Sequence, residues 1–167
     1  MEQKIVIKES VRGIVEYVLK SGSLDDRFMS SGRAMEGTIA HGKLQKDNEN
    51  IYEDYQKEVK LQWGFIRDNI ELIIEGRTDG IIKESNNVII EEIKSTYKSL
   101  IYIEEDYNEL HWAQGKFYGY IYCKENNLKK IRIRLSYYDL NTDEVKSFEK
   151  EFILTELEAF VSELVET

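Results

Sequence analysis

GRTDGIIKESNNVIIEEIKST, residues 76–96, decides the fold of this chain. Ile73-Ile74 just before it and Val88-Ile89-Ile90 within it are β-branched runs of the kind that fill buried strands. Ser85-Asn86-Asn87 supplies turn residues between them. The stretch reads as two strands and a turn, with Asp79 near the end of the first strand and Glu92 and Lys94 on the second. Side chains alternate faces along a strand, so Glu92 and Lys94 share one face and Glu91 takes the other. A hairpin folded at 85–87 brings that shared face alongside Asp79. Two carboxylates and an ammonium then converge at a sheet edge. Carboxylate oxygens suit Mg²⁺ or Mn²⁺, and a lysine beside them can position water or neutralise developing negative charge. In a chain that is 33% charged, such a triplet also arises by chance, so its weight depends on the strands around it and on residues elsewhere.

Composition bounds the class. At 167 residues the chain reads as one domain, long enough to bury roughly 70% of its unfolded surface. A hydrophobic share of 41% with 11% aromatics is ordinary for a globular protein. No apolar run approaches the roughly 20 residues of a membrane helix, and no signal-peptide pattern opens the chain. The lone Cys123 excludes an internal disulfide and any all-cysteine metal site, and a reducing, cytoplasmic compartment is expected. A net charge of −9 argues against coating nucleic acid by bulk attraction, but a metal-dependent site needs carboxylates and grips phosphate through the ion. Basic residues cluster at Arg12, Lys20, Arg27 and Arg33 and again over Lys129–Arg134, where alternation with isoleucine predicts the solvated face of a half-buried strand.

The remaining pattern predicts a strand over 4–8 and a helix capped by Ser10 through about Lys20, with Val11, Ile14, Val15, Val18 and Leu19 as its apolar stripe and Ser21-Gly22-Ser23 ending it. A second helix is expected over 31–46, and strands over 56–63, 69–77 and 87–95. A long helix follows over 106–126, then strands over 130–139 and 145–152 joined at Asn141-Thr142-Asp143. Thr155 is expected to cap a closing helix that buries Leu157, Phe160, Val161 and Leu164. There is no proline and no repeat. The order predicts a mixed α/β domain with a central sheet flanked by helices.

Two further groups of residues can carry chemistry. His41 lies in Gly37-Thr38-Ile39-Ala40-His41, where small neighbours let a helix approach other backbone closely, and a neutral imidazole is a competent Mn²⁺ ligand. The helix after the hairpin carries His111, Gln114, Tyr118 and Tyr122 along one side. Phe117 and Ile121 read as core, but an amide such as Gln114 directed inward needs hydrogen-bond partners. A catalytic lysine, a metal-bound water or a phosphate would provide them.

G-x3-H at Gly37 to His41, G-x-x-D-G at Gly76 to Gly80, E-x-K at Glu92 to Lys94 and Q-x3-Y at Gln114 to Tyr118 occur in one order along nearly the whole chain. Together they resemble RecB-type nucleases, a branch of the PD-(D/E)XK superfamily. Ser10-Val11-Arg12, the 31–41 stretch and His111-Trp112-Ala113-Gln114 bring the chain close to the nuclease-like domain at the N terminus of clostridial DinG/XPD-type DNA helicases. The resemblance implies a restriction-endonuclease-like core and Mg²⁺- or Mn²⁺-dependent hydrolysis of DNA phosphodiester bonds, on a single strand or an end. It implies a helicase partner in repair or recombination, in cis if the chain continues beyond residue 167. His41, Asp79, Glu92 and the backbone carbonyl of Ile93 would bind the ion, Lys94 would orient the attacking water, and Gln114 and Tyr118 would contact DNA or hold the lysine. Many RecB-type nucleases clamp an iron–sulfur cluster with four cysteines; with Cys123 alone, this domain is expected to hold none. Where the motif carboxylate is often Asp, Glu92 reaches one methylene further, and Glu58 is a candidate outer carboxylate. The alternative is a non-catalytic DNA-binding module of a helicase. A pure protein-interaction domain would leave the four motifs as coincidence.

Overall fold

The computed structural model describes residues 3–19 and 31–166, the side chains of 31–34 excepted. The expectations for Lys20, Ser21–Ser23, Arg27, the 25–30 loop and the Arg33 side chain lie outside the described residues. In chain order the elements are β1 (Ile5–Ser10), α1 (Val11–Leu19), α2 (Ser31–Ile51), β2 (Tyr55–Arg67), β3 (Ile70–Glu84), β4 (Asn87–Thr96), α3 (Glu109–Asn126), β5 (Lys130–Asp139), β6 (Val145–Ile153) and α4 (Leu154–Glu166). The strands form a six-stranded mixed sheet flanked by helices, the α/β class expected from the sequence.

Local chemistry sets the element ends. The Ser10 hydroxyl accepts from the Gly13 N–H at 2.8 Å and caps α1. Asn108 does the same for α3 through Leu110, and Asn127 closes that helix in the left-handed conformation, its N–H returning to the Cys123 carbonyl. Ser85 turns β3 into β4 with φ 48°.

A strand has two edges, and β2 occupies one edge of β3 from Ile70 to Ile82. The other edge is shared. β1 pairs with it in parallel over Ile70–Glu75, and β4 pairs antiparallel over Gly80–Glu84. Between them, residues 76–79 meet neither strand, and β4 swings away to pair in parallel with β5 over Ile89–Thr96. The sheet therefore forks beside Asp79.

The fork separates two helical layers. α3, with α1 and α4, buries Phe117, Ile121, Val15 and Leu157 against Ile74, Ile81 and Ile90. α2 covers the other face, where Ala40 and Leu44 pack with Ile93 and Tyr138. The odd-numbered β4 residues Glu91 and Ile93 thus meet α2, and the even-numbered face carrying Ile90 belongs to α3. Among the described residues no helix is long and apolar enough to cross a membrane.

Several boundaries differ from the sequence reading. β3 runs to Glu84 rather than ending at Arg77, so Asp79 is interior to the strand. Gly76 and Gly80 interrupt the apolar pattern there because the rings of Tyr118 and Tyr55 lie where their Cβ atoms would be. α2 continues to Ile51, held by a buried Asn48, and α3 starts at Glu109, three residues later than expected from 106. α4 begins at Leu154, so Thr155 is inside the helix. The alternation expected of β5 holds, with Ile131 and Ile133 buried and Lys130, Arg132 and Arg134 on the partly exposed face. The guanidiniums are nevertheless paired: Arg132 and Arg134 both reach Glu149, at 2.6 and 2.8 Å, and Arg134 also donates to the Tyr52 hydroxyl at 3.0 Å. The two guanidiniums hold the Glu149 carboxyl low against the opposing effect of burial.

Candidate active site

Side chains replace the missing ladder where β3 and β4 part. The Thr78 hydroxyl donates to the Glu91 carbonyl at 3.2 Å, and the Ile93 N–H donates to Asp79 Oδ2 at 2.7 Å. N–H and C=O of one residue in an extended strand point to the same edge, so the Ile93 carbonyl also faces the fork. Asp79 is thereby aimed into the gap by backbone, with its second oxygen left over.

That oxygen meets α2. His41 Nδ1 lies 3.7 Å from Asp79 Oδ1, reached through the fork although α2 covers the face opposite α3. Glu92 is buried beside Asp79, and its Oε1 has no hydrogen-bond partner. Burial first, and the Asp79 charge second, push its carboxyl far above the ordinary carboxylate range, against the pull of Lys94. Lys94 Nζ donates to Gln114 Oε1 at 2.6 Å, which gives the inward amide of α3 the partner it needs. Burial, with the Glu92 and Asp79 charges adding to it, pushes the Tyr118 phenol well above its ordinary value, and its hydroxyl lies against Gly76 of β3. His111 sits one turn before Gln114, its Nδ1 2.9 Å from the Tyr137 hydroxyl. Burial, with Lys94 and Arg12 nearby, lowers it to about 3, so it is a neutral imidazole.

The candidate residues thus occupy one fork. Glu92, Lys94, Gln114 and Tyr118 lie on the α3 side, His41 lies on α2, and Asp79 stands between them. Asp79 neighbours His41 and Glu92 separately, and among the described residues no three His, Cys, Asp or Glu side chains are gathered closely enough to hold a metal ion. The donor chemistry nevertheless fits a hard cation. Glu92, beside the Asp79 carboxylate, has a buried oxygen without a partner that a bound cation would satisfy. Cys123 is buried, and burial raises its thiol to about 11.

Three residues escaped the sequence reading. Gln45 and Asn48 continue the α2 stripe from His41 at spacings of four and three, and that helical spacing was a readable signal. Gln45 Nε2 donates to Glu58 Oε1 at 3.0 Å and to the Asp79 carbonyl at 2.9 Å. Glu58 is therefore held behind Asp79. Glu91, set aside as the carboxylate on the wrong face, is a buried anchor: Asn48 and Ser136 each donate to it at 2.7 Å. Nothing in its own strand distinguishes that role from solvent exposure.

Two expected results follow from this geometry. An added Cβ at Gly76 would stand 2.5 Å from the Tyr118 hydroxyl oxygen. Gly76→Ala should destabilise the fold by about 1–3 kcal/mol in denaturant unfolding and dislodge Tyr118. An undisturbed Tyr118 with parental stability would contradict this packing. The second result concerns pH. With its folded value raised, Glu92 binds its proton more tightly in the native than in the unfolded chain. The native state is therefore favoured at low pH, and that contribution is lost as pH rises from the ordinary carboxylate value through about 8. The metal-free protein should melt lower at the alkaline end of that window. Glu92→Gln should raise its stability there by about 1–4 kcal/mol. A melting temperature that climbs across the window in the metal-free parent would show that Glu92 is not buried as an acid.

No family model and no curated protein matches the chain. Its fold is similar to a solved structure described as "Crystal structure of SSO0001", with a TM-score of 0.62 and 17% sequence identity over 99% of this chain and 78% of that one. The likeness is one of fold.

Proposed function

We propose that this chain is a metal-dependent DNA nuclease domain of the RecB-type PD-(D/E)XK kind, acting in the cytoplasm on a single strand or an end beside a DNA helicase. One observation carries the reading: a buried Glu92 beside a half-buried Asp79 in a forked sheet, with Lys94 on the strand face of Glu92. Structural ion pairs seldom leave one carboxylate oxygen buried without a partner, whereas catalytic carboxylates are commonly kept in such unsatisfied surroundings.

Mg²⁺ or Mn²⁺ would be held by Asp79, Glu92, the Ile93 carbonyl and His41, supplying charge to the scissile phosphate and acidity to a bound water. The protein contributes the rest. Asp79 is pre-aimed by the Ile93 amide, so little reorganisation precedes binding. Lys94, fixed by Gln114, presents an ammonium that holds water and phosphate by charge. Tyr118, kept protonated, is a hydrogen-bond donor to the DNA strand. The loose gathering of the donors favours one second reading, a non-catalytic DNA-binding module. A metal titration against a short labelled single strand separates the two. Cleavage that appears only with Mg²⁺ or Mn²⁺ supports the nuclease, and a mobility shift without cleavage supports the module.

A further inference from the structure

The sheet releases Asp79 on both edges at once. β2 pairs with β3 at successive positions from Tyr55 to Arg67 except one, Glu58, which stands opposite Asp79 in the register. Glu58 takes φ 52°, in the left-handed region that a residue with a Cβ seldom adopts. On the other edge, β1 pairs only as far as Glu75, and β4 begins at Gly80. The backbone of Asp79 therefore depends on other partners. Its carbonyl accepts from Gln45 Nε2 at 2.9 Å, and the same amide nitrogen spends its second hydrogen on Glu58 Oε1 at 3.0 Å. Gln45 is buried, one helical turn after His41 and one before Asn48, whose amide grips Glu91 on β4 at 2.7 Å. One face of α2 thus fixes the helix to both arms of the fork.

We infer that Gln45 is a positioning residue: it replaces the missing ladder at Asp79 and sets the aim of that carboxylate toward Ile93 and His41. Glu58 is the acceptor that orients the Gln45 amide, and its unfavourable backbone conformation is what frees the Asp79 carbonyl for Gln45. Hydrogen bonding to the main chain rather than charge is the basis of the role. For cleavage, the inference rests on the nuclease reading. For the aim of Asp79, it does not.

Hydrogen exchange of the metal-free protein tests it, read at the Ile93 amide that donates to Asp79. In Gln45→Met, which keeps the bulk and loses the donor, Ile93 should exchange at least roughly tenfold faster while Ile133 and Leu135 in β5 keep their protection. With Mn²⁺ and a labelled single strand, kcat should fall about tenfold with KM little changed. Glu58→Gln, which still offers an oxygen to Gln45, should leave Ile93 exchange close to the parent. Unchanged Ile93 exchange in Gln45→Met, or acceleration spread equally over β5, overturns the positioning role. Ile93 exchange accelerated in Glu58→Gln as much as in Gln45→Met overturns the role given to Glu58. If Gln45→Met does not fold, Gln45→Asn, one methylene short of the carbonyl, gives the same reading. A parent protein that cuts no DNA removes the nuclease reading, and the Ile93 amide still decides the positioning role.

Discussion

Lys94→Ala should abolish cleavage, lowering the rate by at least about 10²–10³-fold, while Mn²⁺ affinity stays near that of the parent or improves. Lys94 shares a strand face with Glu92, and its ammonium is one of the charges that offset the two carboxylates. Removing it takes a competing positive charge away from the cation's donors and leaves them in place. It also removes the group that Gln114 fixes at 2.6 Å, so water and phosphate lose their cationic anchor. Calorimetric Mn²⁺ binding measured beside nuclease activity separates the two effects. Full activity in Lys94→Ala would sink the proposed site.

Asp79→Ala should lose both properties. Its carboxylate is at once a donor to the cation and the acceptor that closes the fork through Ile93. Mn²⁺ affinity should fall by more than about 100-fold, with cleavage undetectable. The Ile93 N–H, left without its acceptor, should cost about 1–3 kcal/mol of stability, which circular dichroism melting would register without abolishing the fold. Retained Mn²⁺ affinity in a folded Asp79→Ala protein would place the cation elsewhere. The contrast between the two variants matters more than either alone, since a general loss of structure would remove binding in both.

Much of the fold was legible in the sequence for identifiable reasons. The β-branched runs before Asp79 and Glu92 marked the central strands, and the period of α1 placed Val11 and Val15 in the core. Alternation assigned Glu92 and Lys94 to one face and Glu91 to the other, as observed. The reading failed where backbone geometry decides. Gly76 and Gly80 looked like the end of a strand because their reason for being small lies far along the chain, in Tyr118 and Tyr55. The fork itself has no local signature: it arises because β1 and β4 share one edge of β3 and leave residues 76–79 between them. Arg132 and Arg134 lie on the partly exposed face as read, but their pairing was not legible because Glu149, which binds both, belongs to the next strand. Gln45 was readable by its spacing from His41, but its two acceptors were not, since one is a main-chain carbonyl freed by the left-handed Glu58.

The placement of a cation in the fork is tested most directly by anomalous diffraction from crystals of the protein grown or soaked with Mn²⁺. A single strong peak bounded by Asp79, Glu92, the Ile93 carbonyl and the His41 imidazole is the expected result. A peak elsewhere, or an empty fork at Mn²⁺ concentrations that saturate known metal nucleases, would contradict the site on which the proposed function stands.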